Sequence, residues 1–176
     1  MAVIDQTIDV HVPLHTAYNQ WTQFEDFPRF MEGVEQVHQL DDTTLEWHAS
    51  VAGVDKAWRA RIVEQVPDQR ITWVATSGAR NDGTVSFSSL GADTTRVNLL
   101  MDVEPEGPVE TAGTSMGLVR QRIKGDLERF RDFIEARGAE SGSWRGEVRG
   151  TSGGNTGAVG EPMATASDRQ RGGLDT

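Results

Sequence analysis

Five segments in the middle of the chain, residues 44–51, 57–66, 70–76, 83–90 and 95–103, alternate apolar and polar side chains with a period of two. One set of alternate positions holds Leu45, Trp47, Ala49, Val51, Trp58, Ala60, Ile62, Ile71, Trp73, Ala75, Val85, Phe87, Val97, Leu99 and Met101. The other holds Glu46, His48, Arg59, Arg61, Thr72, Ser86, Asn98 and Asp102. Successive side chains on a strand point to opposite faces, so the pattern predicts antiparallel strands with one face covered and one wet. The covered face carries three indoles and no ionisable group, which suits binding better than acid, base or nucleophilic chemistry.

Residues 2–12 alternate in the same way through Ile4, Ile8, Val10 and Val12, and stop at Pro13, a residue that favours the first turn of a helix. Leu14, Ala17, Tyr18 and Trp21 then recur at helical spacing, and Asp26-Phe27-Pro28-Arg29-Phe30 predicts a second short helix with Asp26 as its cap. A further strand is expected over 34–40. The breaks between strands fall at Asp41-Asp42, Gly53, Pro67-Asp68, Asn81-Asp82-Gly83 and Gly91-Ala92-Asp93, all read as turns. Between 109 and 137, Ala112, Met116, Val119, Ile123, Leu127, Phe130 and Ile134 share one helical face. At ~1.5 Å per residue that helix is about 40 Å long, enough to cross seven strands spaced ~4.8 Å apart.

The expected fold class is therefore α+β: a seven-stranded antiparallel curved sheet around a long C-terminal helix, with two short helices after the first strand. Gly138 stops the long helix, so residues 1–137 are expected to form the domain and residues 138–176, rich in Gly and Ser, a mostly disordered tail. Within that tail, Ser143-Trp144-Arg145-Gly146-Glu147-Val148 carries a lone tryptophan and is a candidate for docking back onto the domain.

If the indole face and the helix stripe look at each other, Trp47, Trp58, Trp73, Phe87, Leu99 and Met101 meet Met116, Val119 and Ile123, with Arg120 at the edge of the stripe. These ten residues are the candidate ligand-binding set. Arg120 is placed either to meet a ligand carboxylate or carbonyl, or to lie on the surface against an acid. Two outcomes fit the indoles: the bent sheet leaves a cavity, or the rings, burying on the order of 200 Å² each, fill it. Gly113 and Gly117 weaken the first turns of the helix, so an entrance is expected there, beside residues 80–83.

Composition narrows the partners. The chain has 176 residues, no cysteine and a net charge of -10, which excludes thiolate chemistry and disfavours nucleic acid or anionic lipid surfaces. No run of about eighteen apolar residues is present, so no membrane insertion is expected, and the N-terminus lacks a leader pattern; the expected location is cytoplasmic. His11, His15, His38 and His48 lack metal-ligand spacing. Glu25 and Asp26 are adjacent and do not converge on one atom, and neither glycine turn is followed by the helix a phosphate loop needs. No catalytic residue, metal or cofactor is expected. The partner is expected to be a small hydrophobic molecule, with a protein partner possible through the tail.

The stretch Trp21-Thr22-Gln23-Phe24-Glu25-Asp26-Phe27-Pro28-Arg29-Phe30-Met31, with Val34 and Val37, resembles the signature of the bacterial polyketide cyclase/dehydrase and coenzyme Q-binding branch of the SRPBCC (START-like) superfamily. Trp58-Arg59-Ala60-Arg61-Ile62, Pro67-Asp68-Gln69-Arg70-Ile71-Thr72-Trp73 and Trp144-Arg145-Gly146-Glu147 extend the resemblance over about residues 2–148. It implies the helix-grip fold shared with plant pollen-allergen-like proteins, and an apolar cavity for lipids, quinones or polyketide intermediates. Aromatic polyketide cyclases of this kind place arginine and tyrosine inside the cavity, whereas the only tyrosine here, Tyr18, lies on the first helix. Hydrophobic ligand binding is thus the leading expectation. Its alternatives are a polyketide cyclase/dehydrase drawing on Arg120 and Tyr18, and an interaction module whose packed core binds nothing.

Overall fold

The computed structural model describes residues 2–51, 53–78, 80–103 and 109–149, with the side chains of residues 2, 51 and 109–115 outside that set. Strands β1 (Ala2–Val10), β2 (Val34–Gln39), β3 (Thr44–Val51), β4 (Val54–Val66), β5 (Arg70–Ala75), β6 (Asn81–Gly91) and β7 (Thr94–Val103) form one seven-stranded sheet in the order β1-β7-β6-β5-β4-β3-β2. All neighbours pair antiparallel. Helix α1 (Leu14–Trp21) and a 3-10 turn (Phe24–Arg29) follow β1, and α2 (Val109–Arg137) packs on the apolar face of the sheet. This is the sheet-and-helix arrangement that the alternation and the helix length predict, and the helix-grip fold that the resemblance implies.

The core joins Ile4, Val37, Leu45, Ile62, Ile71, Val85 and Val97 of the sheet to Ile123, Leu127, Phe130 and Ile134 of α2. Between them lies an aromatic layer of Tyr18, Trp21, Phe24, Phe27 and Phe30, packed mainly edge to face. Register shifts at Val34/Gln36, Ile62/Glu64 and Ser89/Gly91 mark bulges, which bend the strands around the helix. The β4 bulge also reverses the alternation behind it, so Gln65 points inward, 1% exposed, and donates from Nε2 to the Tyr18 hydroxyl at 3.2 Å.

Two local expectations are corrected. Asn81-Asp82-Gly83, read as a turn, opens β6: Asn81 pairs with Val103 and Asp82 with Asp102, and the Asp82 carboxylate accepts the Ala75 N–H at 2.8 Å. Cross-strand partners override the turn preference of these residues. Asp26, read as a cap, lies inside the 3-10 turn, where Gln23 holds the capping position without a side-chain bond. Its carboxylate instead pairs with Arg29 and accepts the Ser141 hydroxyl. Pro105 and Pro108, together with residues 150–176, lie outside the described residues.

After Gly138, residues 139–149 run back over α1, beyond the boundary expected at 137. Asn19 donates to Glu140 at 2.9 Å; Gln20 donates to the Ser141 hydroxyl and accepts the Ser141 N–H at 3.1 and 2.9 Å; the Thr22 hydroxyl accepts the Trp144 N–H at 3.0 Å. Val148 closes the strap by exchanging two backbone hydrogen bonds with Gln65, at 2.7 and 2.9 Å. Every residue from Thr16 to Trp21 is buried, Ala17, Tyr18 and Trp21 in the core and Asn19 and Gln20 bonded to the strap.

Arg145 anchors the middle of the strap. It makes two bonds of 2.7 Å to the Asp68 carboxylate, a third of 2.8 Å to Asn19, and lies over the Tyr18 ring at 5.4 Å. The guanidinium holds the Asp68 carboxyl below its ordinary range. A carboxylate whose pKa is lowered on folding contributes stability that is present above the unfolded value and lost as pH falls through the folded one. Arg145→Ala is therefore expected to cost roughly 1 kcal/mol at neutral pH, since the pair is partly exposed. In urea melts the difference from the parent chain should shrink as pH falls below the ordinary carboxylate range and the lowered Asp68 carboxyl takes up its proton.

Candidate functional site

A cavity of about 210 Å³ lies between the sheet and α2. Its sheet wall is built by Trp47, Ala49, Trp58, Ala60, Trp73, Leu99, Met101 and Val103, and its helix wall by Val119, Ile123 and Leu127, with Trp21 and Met31 at one side. Of the two outcomes open to the indoles, the tryptophans leave space.

Strand pairing explains how. Trp47 and Trp58 face each other across β3 and β4, and their rings stack with centroids 5.7 Å apart and planes 6° from parallel. Stacked in this way, two large rings line one wall instead of crossing the interior. Trp73 pairs with Gly83 on β6, and a Cβ at Gly83 would stand 2.5 Å from the indole Cζ2. Glycine lets the ring lie against the neighbouring strand. Ala49 and Ala60, 4% and 2% exposed, complete the wall with small side chains where larger ones would enter the space.

Seven of the ten predicted site residues border this cavity: Trp47, Trp58, Trp73, Leu99, Met101, Val119 and Ile123. Phe87 does not. It is 6% exposed and packs edge-on against Tyr18 at 5.4 Å and Trp21 at 6.3 Å, inside the aromatic layer. Met116 is half-buried against the core but lies off the cavity wall. Arg120 is exposed and the arginine at the cavity is Arg122. Two residues along a helix are about 200° apart, so the flank that is occupied decides which arginine borders the cavity.

That flank is set by the loop after the 3-10 turn. Gly33 adopts φ +80°, and its missing side chain leaves room for the Arg122 guanidinium, which donates to the Glu32 carbonyl at 3.0 and 3.3 Å. One helical turn on, the Asp126 carboxylate accepts the Glu32 N–H at 3.0 Å and also bonds Arg129. Arg129 donates in turn to the Phe30 carbonyl at 2.9 Å. The ionisable groups missing from the sheet face thus reach the cavity from helix and loop, as Glu32, Arg122 and Asp126. The spacing of Arg122, Asp126 and Arg129 along α2 was the signal available in the sequence.

Burial outweighs the Arg129 hydrogen bond at Asp126 and raises its carboxyl above the ordinary range. Asn81 also borders the cavity, and its Oδ1 is buried without a hydrogen-bond partner among the described residues. Among those residues no group of three acidic, histidine or cysteine side chains is placed to hold a metal ion, and no helix is long and apolar enough to cross a membrane. His38 and His48 sit together on the outer face of the sheet, with ring centroids 6.2 Å apart, bonded to Gln36 and Glu46 respectively.

Residues 10–131 match the family model described as polyketide cyclase/dehydrase and lipid transport. A curated relative is 50% identical over 149 residues, covering 84% of this chain and 99% of its own length: the uncharacterized 17.2 kDa protein of the melC2-rnhH intergenic region in Streptomyces lincolnensis. Among solved structures, the Zhui aromatase/cyclase from Streptomyces sp. R1128 superposes with a TM-score of 0.68 at 16% identity, over 81% of this chain and 99% of that one. A START superfamily protein from Mycobacterium smegmatis gives 0.62 at 15% identity, over 75% and 98%. These structural likenesses concern the fold.

Proposed function

The chain belongs to the polyketide cyclase/dehydrase and lipid transport family, and from that premise we propose that it binds a small, flat hydrophobic molecule between its sheet and α2 and makes or breaks no covalent bond in it. The observation that carries this reading is the cavity itself, about 210 Å³ walled by four indoles, two methionines and aliphatic side chains. An apolar cavity of about 150 Å³ accommodates benzene, so this one has room for about two fused rings. Burying such a ligand contributes ~25 cal/mol for each Å² of apolar surface removed from water. The space in the interior supports this reading over that of a packed interaction module.

The test uses 1,4-naphthoquinone, a two-ring molecule that quenches indole emission. The expected result is saturable one-to-one quenching, because Trp47, Trp58 and Trp73 all border the cavity. Ala60→Phe places a phenyl ring in roughly half of the space and should weaken binding about 100-fold while the folded circular dichroism spectrum is kept. Ala49→Leu is the milder filling variant, for use if the phenyl ring strains the sheet. Linear, non-saturating quenching, or unchanged affinity in a folded filling variant, would overturn the proposal.

Catalysis has one observation in its favour, the Asp126 carboxyl on the cavity wall with its proton affinity raised by burial. A new product formed from a poly-β-ketone chain, followed by mass spectrometry, would replace carriage by turnover.

A further inference from the structure

The polar corner of the cavity bears on what the ligand must carry, and this inference rests on the binding reading above. Three charged side chains border the cavity there, Glu32, Asp126 and Arg122, and Arg129 pairs with both acids beside them. Arg122 spends Nε and Nη2 on the Glu32 carbonyl. Arg129 divides its donors between the Phe30 carbonyl and Asp126 Oδ1. Asp126 Oδ1 receives both Arg129 and the Glu32 N–H, whereas Oδ2 has no hydrogen-bond partner among the described residues. Yet Asp126 borders the cavity, and its side chain is only 16% exposed.

A carboxylate half-satisfied in a low-dielectric wall is short of one donor. Its carboxyl is correspondingly raised by burial in spite of the arginine beside it. The corner as a whole is balanced in charge, two carboxylates against two guanidiniums. That balance leaves no net charge to favour a cationic or an anionic ligand, each of which must shed its hydration to enter the cavity. A neutral O–H meets neither penalty.

We infer that Asp126 Oδ2 accepts a hydrogen bond from a hydroxyl of the ligand, so that the cavity selects a flat aromatic molecule bearing a phenol- or alcohol-type O–H over the matching hydrocarbon ether, amine or acid. Asp126 is then the residue that orients the ligand, and the indole wall supplies the affinity shared by all flat molecules.

Three naphthalenes of equal ring size separate the contributions by titration calorimetry at neutral pH: 2-naphthol, 2-methoxynaphthalene and 2-naphthoate. The wild-type chain is expected to bind the naphthol about tenfold more tightly than the ether, the worth of one hydrogen bond to a charged acceptor, and the naphthoate most weakly. Asp126→Asn keeps the side-chain shape and an oxygen for the Glu32 N–H, and puts an N–H₂ where Oδ2 accepted. It should erase the naphthol advantage while ether binding changes less than about threefold, which shows the cavity intact. Equal binding of naphthol and ether by the wild type, or an unchanged ratio in Asp126→Asn, overturns the role of Asp126 alone. Failure of all three to bind overturns the cavity reading and this inference with it.

Discussion

Phe130→Ala is expected to lower the free energy of unfolding by about 4 kcal/mol, measured at equilibrium in urea. The ring is fully buried and is met edge-on by Trp21 at 5.0 Å and by Phe30 at 5.3 Å. Truncation removes both aromatic contacts and leaves a hole that these neighbours cannot close, because each is fixed by others: Trp21 by Phe27, and Phe30 by Phe27 and Phe133. The transfer of the lost carbons and the residual void act in the same direction. Trp21 is also a wall of the cavity, so the variant should bind two-ring probes more loosely as well as unfold earlier. A loss under about 1 kcal/mol would show that the aromatic layer repacks freely, contrary to its edge-to-face order.

Ending the chain at Arg137 instead of Arg149 is expected to cost about 3 kcal/mol. The segment removed supplies the partners of Asn19, Gln20, Thr22 and Asp68 and the backbone bridge to Gln65, and takes with it Val148, which packs on the core. Those polar groups would become hydrated and not orphaned, so the cost falls well below the sum of the bonds. The same melt on a chain ending at Arg149 isolates the strap. Equal stability of the two chains would mean that α1 is held by the sheet and α2 alone.

Fold and site were legible to different depths. The period-two pattern placed Trp47, Trp58, Trp73, Leu99 and Met101 on one wall because strand alternation is a local rule, independent of what lies opposite. It failed at Gln65, since a bulge two residues earlier inverts the faces and leaves no mark in side-chain polarity. It also failed at Asn81-Asp82-Gly83, where residues typical of turns are drafted into a strand by their partners on β7. Helical spacing placed Val119 and Ile123 on the inward face and Arg120 at its edge, whereas the arginine that borders the cavity is Arg122. The deciding contact is the Glu32-Gly33 backbone, some 90 residues upstream. The burial of Asn19 and Gln20 was likewise invisible, because their partners stand 121 residues later in the chain. Phe87 was assigned to the right face; what the pattern lacks is the coordinate along the strand that puts it against Tyr18 and Trp21 of α1 and not at the cavity.

The pairing of Trp73 with Gly83 means that the capacity of the binding chamber is governed from behind its lining. A single methyl group added at Gly83 would touch no ligand, yet it would lift the indole off β6 and push it inward. The space between sheet and α2 is therefore set in part by a backbone position that an inspection of the cavity wall would pass over.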